Sequence, residues 1–302
     1  MNVASPSESR PVALITGLTG FTGRYVAQEL EREGYAVHGW THHADADGEA
    51  EPVDLLDRPA VQKALESLNP SVVVHLAAIS FVAHGDADAI YRVNIVGTRN
   101  LLEALAALER KPARVLLVSS ANIYGNAGGV VAEDTLAQPQ NDYAVSKLAM
   151  EHMAQLWSER LPITIVRPFN YTGVGQADKF LLPKIVDHFR RKASVMELGN
   201  LDVSRDFNDV RNVAQMYRRL LAVDAAGEIF NVCSGRQYSL REVVAIMEDI
   251  SGHRLEVRVN PAFVRVNEVR ELRGNPDKLA SHIGVLPEFS LRATLSWMYE
   301  QS

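Results

Sequence analysis

Tyr143 and Lys147 stand four positions apart in the run Asn141-Asp142-Tyr143-Ala144-Val145-Ser146-Lys147. Ser120 lies upstream, at the end of the apolar run Val115-Leu116-Leu117-Val118-Ser119. On a helix, side chains four apart share a face, so an ammonium at 147 sits one turn from a phenol at 143 and favours its ionised form. A free phenol titrates near pH ~10 and is a poor acid or base at neutral pH, so such a neighbour matters. With the Ser120 hydroxyl beside them, the three groups outline a hydride-transfer apparatus. A solvated helix face is the plain alternative for a Tyr and a Lys at this spacing, and the rest of the chain decides between them.

Near the start stands Thr16-Gly17-Leu18-Thr19-Gly20-Phe21-Thr22-Gly23, directly after Val12-Ala13-Leu14-Ile15 and before the amphipathic run Arg24 to Glu33. Strand, glycine turn and helix follow in order. Glycines at 17, 20 and 23 permit a tight turn, close approach of backbone amides to a pyrophosphate, and close packing of helix on strand. The spacing is G-x-x-G-x-x-G rather than G-x-G-x-x-G, and without its flanks it would read as a glycine-rich surface loop.

The elements that must position these groups are legible as a rhythm. Apolar runs at Val12 to Thr16, Ala36 to Trp40, Val72 to Leu76, Val115 to Ser119 and Ile163 to Val166 read as buried parallel strands. Helical patterns at Ala60 to Leu68, Ala89 to Leu108 and Tyr143 to Arg160 alternate with them as crossovers. The expected fold is α/β: a Rossmann-like doubly wound parallel sheet over 11–168, followed by a smaller α/β lobe over 169–302 from which some segments return to the first unit. In that lobe helices are expected near 182–191, 210–221 and 240–250, with strands near 229–232 and 255–259. The stretch 44–50 reads as a polar, acidic, mobile turn.

In open sheets of this kind ligands bind beyond the carboxyl ends of the strands. Gly17, Ala77-Ala78, Ser120 and Pro168-Phe169-Asn170 all fall there. Around a carbonyl carbon, Tyr143 would give a proton to the oxygen, Ser120 would hydrogen-bond that oxygen, and Lys147 would hold the nicotinamide ribose.

Composition narrows the partners. The 302 residues carry a net charge of -6 and a pI near 5.9, which gives no basic face for nucleic acid. The only cysteine, Cys233, excludes an internal disulfide and reads as a small buried hydrophobe in a reducing compartment. The longest apolar stretch, 71–83, is interrupted by His75 and Ser80 and is too short to span a bilayer. A soluble cytoplasmic protein is the expectation.

Taken together, these segments resemble the extended short-chain dehydrogenase/reductases, in the branch acting on nucleotide-linked sugars. The resemblance runs nearly the whole length. It rests on Thr16 to Gly23, Asp54-Leu55, His75-Leu76-Ala77-Ala78, Asn94 to Ala104, Ser119 to Gly125, Tyr143 to Lys147 and Arg167-Pro168-Phe169-Asn170. It implies a dinucleotide held by Gly17, Thr19, Gly20, Phe21, Thr22, Gly23, Thr41, His42, Asp54, Leu55, Leu76, Ala77, Ala78, Tyr143, Lys147 and Phe169, with Asp54 on the adenine. Asp54 alone reads equally well as a helix N-terminal carboxylate, and Asn94 as a helix-to-loop hydrogen bond. The 4,6-dehydratases of this branch carry acidic residues where Ala121 and Asn122 stand, because elimination needs an acid and a base. A 4-ketosugar reductase or a 4-epimerase remains.

The second half is similar to the reductases of GDP-6-deoxy-4-keto-mannose, which make GDP-D-rhamnose, in Arg167 to Gln176, Gly199 to Asp202, Arg205 to Arg211, Phe230 to Gly235 and Arg265 to Val269. That likeness implies a GDP-sugar contacted by Ser80, Ser120, Asn122, Tyr143 and Asn170, with Arg205 and Arg265 on its pyrophosphate and Glu268 on a ribose hydroxyl. An exposed ion pair is the bland reading of either arginine. The chain departs from that pattern at Val174, where proline is common, and at Asn212, where aspartate is common. Trp40-Thr41-His42-His43 occupies the place where NAD-selective folds put a carboxylate, so NADP(H) is favoured and NAD(H) is possible. The two histidines lack partners at ligand spacing, and no metal is expected. The family analogy also implies a homodimer through the helices at 89–108 and 143–160. Two other readings stay open: a nucleotide-sugar 4-epimerase with retained NAD, and a non-catalytic dinucleotide-binding module.

Overall fold

The computed structural model describes residues 10–42, 48–80, 86–263 and 271–301. In chain order the first half runs β1 (Val12–Thr16), α1 (Phe21–Arg32), β2 (Ala36–Thr41), β3 (Ala50–Pro52), α2 (Arg58–Leu68), β4 (Val72–His75), α3 (Ala87–Tyr91), α4 (Thr98–Ala107), β5 (Arg114–Val118), β6 (Val130–Val131), α5 (Asp142–Gln155) and β7 (Ile163–Pro168). The second half adds β8 (Asn170–Thr172), α6 (Leu181–Arg190), β9 (Val195–Leu198), β10 (Ser204–Asp209), α7 (Val210–Leu221), β11 (Ile229–Val232), β12 (Gln237–Ser239), α8 (Leu240–Ser251), β13 (Glu256–Val259), β14 (Glu271–Gly274), α9 (Asp277–Ile283) and α10 (Leu291–Gln301).

The main sheet is parallel throughout, in the order β11-β7-β5-β4-β1-β2-β3. Its central strands are apolar on both faces because helices cover both. Leu14, Val73, Val115 and Leu117 pack toward α2, α4 and α5, while Ala13, Ile15, Val74 and Leu116 pack toward α1 and α7. Each of these buried branched side chains contributes about 1.5–3 kcal/mol. The order of chain connection reverses between β1 and β4, which opens a crevice at their carboxyl ends.

Helix starts follow local chemistry. Asp57 caps α2 on Ala60 N–H at 3.1 Å, Asn141 caps α5 on Ala144 N–H at 2.9 Å, and Asp209 caps α7 on Arg211 N–H at 2.7 Å. Ser239 and Glu242 close a reciprocal capping box on α8.

The smaller C-terminal α/β lobe is built from α6, α8 and α10 around Leu182, Phe189, Met196, Val243 and Leu295. Its short strands β12, β10 and β14 form one sheet with β6 of the first half, β8 pairs β10, and β13 pairs β9. Residues of the second half also return to the first: β11 extends the main sheet and α7 packs in the same cluster as α1.

Three readings need correction. Ala50 opens β3 and is buried rather than belonging to a polar turn; 44–47 lie outside the described residues. The segment 89–108 is not one uniform helix: a π-turn at Arg92–Gly97 separates α3 from α4, and Leu108 is already extended. The helix that begins near Tyr143 ends at Gln155, not at Arg160, and turns follow.

Candidate active site

A cleft of about 1880 Å³ runs along the carboxyl ends of the main sheet and on into the smaller lobe. A pocket for one small molecule is about 300–1,000 Å³, so this cleft has room for two nucleotide-sized ligands. Every described residue expected to contact dinucleotide or sugar nucleotide lines it, from Gly17 through Ser80 and Ser120 to Arg205. Arg265 and Glu268 lie outside the described residues, as does His43.

The glycine turn is shaped for close approach. Gly17 has φ +77°, and a Cβ there would lie 3.0 Å from the backbone nitrogen of Ala77. At Gly23 a Cβ would meet the carbonyl oxygens of Leu18 and Gly17 at 2.3 and 2.5 Å. The N-cap of α1 is Gly20, with no side-chain cap and no acidic residue in the first turn, so the helix N-terminus is left to an anion. These features fit a dinucleotide pyrophosphate at Gly17, Thr19, Gly20, Phe21 and Gly23. Thr22 also lines the cleft, with its hydroxyl 2.7 Å from that of Tyr171.

Farther along, Trp40 is buried, the Thr41 hydroxyl lies 3.3 Å from that of Thr19, and His42 is exposed with Nδ1 3.8 Å from Asp54 Oδ1. Asp54 also accepts the Leu56 N–H at 2.9 Å, while the helix-capping role falls to Asp57. Leu55 is buried, and its carbonyl accepts from Asn100 at 2.9 Å.

Beneath Leu76, Ala77 and Ala78 lies a buried chain of hydrogen bonds. Thr98 donates its hydroxyl to the Asn94 carbonyl at 2.8 Å, so His75 Nε2 must carry the proton it donates to Thr98 Oγ1 at 2.8 Å. His75 Nδ1 then accepts from Thr16 Oγ1 at 2.7 Å, and that oxygen accepts Ala77 N–H at 3.2 Å. Burial pushes the His75 ring down to about 3, with the Lys147 charge adding to the effect, so it stays neutral. Asn94 sits in the π-turn and bonds both backbone groups of Ile79 and the Ser146 hydroxyl, the helix-to-loop role.

Ser120, Tyr143 and Lys147 meet at the centre of the cleft, all of them buried. Ser120 stands between β5 and a 3-10 turn at Ala121–Tyr124, its Oγ accepting Asn122 N–H at 3.2 Å. The Tyr143 phenol lies near enough to Ser120 for that hydroxyl to favour the phenolate. Burial pushes that phenol up to about 12, against the lowering effect of the Ser120 hydroxyl. The expectation of an ammonium-favoured phenolate is therefore not met. Lys147 is itself pushed down to about 8 by burial, partly offset by Glu151, and donates to the Val118 carbonyl at 2.8 Å. Desolvation outweighs the Ser120 hydroxyl, and the phenol stays protonated in the fold.

At the far wall Phe169 is buried, Asn170 is exposed and Arg205 is half-buried. Asn122 is exposed and lines the cleft beside buried Ala121, and neither residue type offers a carboxylate. The departure at Asn212 has a structural reason. Its amide donates to Asn208 Oδ1 at 2.9 Å and to the Phe289 carbonyl at 3.2 Å while accepting Phe289 N–H at 2.9 Å, and a carboxylate could not donate. Val174 lends its carbonyl to the Tyr25 hydroxyl at 2.7 Å.

Lys179, Lys184, Glu197 and Gln140 line the cleft without having been singled out in the sequence, since they stand in no motif that marks them. Ser119 ends a strand and falls within the resembling segment but is given no role there; it lines the cleft with a buried hydroxyl that has no partner. Among the described residues no group of three His, Cys, Asp or Glu side chains is placed to hold a metal, and no helix is long and apolar enough to cross a membrane.

With this geometry in hand, the sequence matches the NAD dependent epimerase/dehydratase family over residues 13–233. The chain belongs to that family, the extended short-chain dehydrogenase/reductases, and is an enzyme of that type. It is 37% identical over 290 residues to the GDP-6-deoxy-D-talose 4-dehydrogenase of Aggregatibacter actinomycetemcomitans, covering 95% of this chain and 96% of that one. To the GDP-6-deoxy-D-mannose reductase of Pseudomonas aeruginosa it is 34% identical over 295 residues, covering 93% of each. Among solved structures, a candidate epimerase from Burkholderia cenocepacia is 52% identical with a TM-score of 0.92 over 97% of this chain and 98% of the other. The RMD protein of Pseudomonas aeruginosa, complexed with NADPH, is 31% identical with a TM-score of 0.85 over 97% and 98%.

Proposed function

We propose that this chain reduces the C4 ketone of a GDP-linked 6-deoxy-4-ketohexose, with NADP(H) the favoured and NAD(H) a usable cofactor. The observation that carries the proposal is that Ser120, Tyr143 and Lys147 meet, buried, in the cleft that also holds the glycine turn, because reduction of a ketone needs a proton donor at its oxygen beside the cofactor. When bound, the nicotinamide supplies the hydride. Tyr143 gives its proton to the C4 oxygen as the carbon is reduced, Ser120 donates a hydrogen bond to the same oxygen, and Lys147 holds the cofactor ribose. Ketone, hydride and proton become a secondary alcohol, and solvent reprotonates the phenolate.

Two relatives are named for reactions of GDP-6-deoxyhexoses, which supports the substrate class. Ala121 and Asn122 provide no acid or base for dehydration. In this reading Ser80, Asn122 and Asn170 face the sugar, Arg205 and Arg265 hold the pyrophosphate, Glu268 binds the ribose, and 169–302 is mainly the sugar-nucleotide half. Val96, Val145 and Leu156 are exposed along the π-turn and α5 or just beyond it, apolar area suited to a homodimer through those helices. A reducing, cytoplasmic setting suits the buried Cys233 thiol.

The purified protein mixed with NADPH and the GDP-linked 4-ketosugar should deplete the nicotinamide absorbance; an unchanged spectrum at millimolar substrate overturns the reductase reading. The candidate epimerase from Burkholderia cenocepacia favours a second reading, a 4-epimerase. Under that reading the protein purifies with bound NAD and consumes none.

A further inference from the structure

We infer that Arg167 and Glu151 form a bracket that holds the Ser120 turn, the Tyr143 helix and the Phe169-Asn170 rim in one register, and that Glu151 keeps Lys147 in its ammonium form during turnover. This rests on the reductase reading and assigns both as positioning residues.

Arg167 lies on β7, immediately before the Pro168-Phe169-Asn170 rim, and its side chain is 8% exposed against 3% for Glu151. The guanidinium forks onto the Glu151 carboxylate, with Nε at 3.0 and 3.2 Å and Nη2 at 2.7 Å. Its remaining nitrogen, Nη1, donates to the Tyr124 hydroxyl and to the Glu133 carbonyl, both at 2.8 Å. Tyr124 closes the 3-10 turn that Ser120 opens, and its hydroxyl donates onward to Asn231 Oδ1 at 2.7 Å on β11. One guanidinium therefore ties three separate pieces of the site together.

Glu151 stands one turn beyond Lys147 on the same face of α5, where side chains four apart are about 5–6 Å apart at Cβ. Among the described residues, the ionisable groups around Lys147 are Tyr143 and Glu151 on its own helix and His75 from β4, with Arg167 from β7 paired to Glu151. Of these only Glu151 favours the ammonium, since His75 is neutral and Tyr143 is protonated. A generic structural ion pair is the competing account. Buried pairs of that kind are usually replaceable by apolar residues without loss of stability, which separates the two.

The experiment measures kcat/KM for NADPH-dependent reduction against pH in the wild type, Glu151→Gln, Glu151→Asp and the paired replacement Arg167→Met with Glu151→Leu. Activity in the wild type falls as pH rises through the Lys147 titration near 8. Without the Glu151 charge that limb moves down by about one pH unit, the low end for an opposite charge at this range, giving roughly fivefold less activity at pH 8. Glu151→Asp restores most of the wild-type profile. Should Glu151→Gln fail to fold, the paired replacement carries the test, since it leaves no unpaired buried charge. A folded paired variant with an unmoved profile overturns the inference and leaves a structural pair. Failure of the reductase reading would show separately, as absence of turnover in the wild type.

Discussion

The ammonium of Lys147 stands 2.8 Å from the carbonyl oxygen of Val118, the last residue of β5 and two residues ahead of Ser120. That bond references the helix carrying the phenol to the strand end carrying the hydroxyl. It also holds a charge in a place that disfavours it.

Replacing Lys147 with Met should therefore stabilise the fold while disabling the site. The folded-state value near 8 lies below the unfolded 10.5, so the folded chain carries a penalty that is full below pH 8 and fades as pH rises to 10.5. Lys147→Met is expected to gain about 1–3 kcal/mol at pH 7, net of the lost bond to Val118. Urea unfolding at pH 7 measures it; a variant less stable than the wild type would show that the Val118 bond outweighs desolvation.

Replacing Tyr143 with Phe removes the acid and little else, because the ring stays packed. Turnover should drop by about 10²–10⁴-fold with cofactor affinity changed by no more than a few-fold. Steady-state rates and calorimetric titration of NADPH check the two halves. Undiminished turnover would remove Tyr143 from the chemistry.

His75 should make the protein sensitive to mild acid. Its ring is neutral in the fold down to about 3, against 6.5 unfolded, so its contribution is whole above pH 6.5 and is lost as pH falls from there toward 3. Between pH 7 and 5 the wild type should lose about 2 kcal/mol more than His75→Asn does. Equal losses in both proteins would mean that the ring accepts a proton without unfolding.

What could be read in the chain follows what local pattern can encode. The runs at β1, β4, β5 and β7 are apolar on both faces, so their burial in a parallel sheet was legible without knowing their neighbours. The same rule reached β11 as a strand but not its place beside β7, because four residues do not specify a partner. Strands of two or three residues, such as β6 and β12, carry no period at all and exist only through pairing. The π-turn at Arg92–Gly97 was hidden because a helical period continues through it while the register slips.

At the site, spacing brought Lys147 near Tyr143, but spacing carries no information about how much water is excluded. Desolvation decided the direction of the phenol's shift, and it belongs to the packed structure. The fork between Arg167 and Glu151 joins a strand to a helix across 16 residues, a separation no local pattern marks.

The most direct test of the central claim follows a label from cofactor to sugar. NADPH carrying deuterium at the transferable C4 position of the nicotinamide is incubated with the enzyme and the GDP-linked 4-ketosugar, and the product is read by proton NMR and mass spectrometry. One deuterium at sugar C4 for each cofactor oxidised is the predicted result, with labelling slowed by about 10²–10⁴-fold when Tyr143→Phe is used. Product formed without net cofactor oxidation, or without deuterium at C4, would contradict the account.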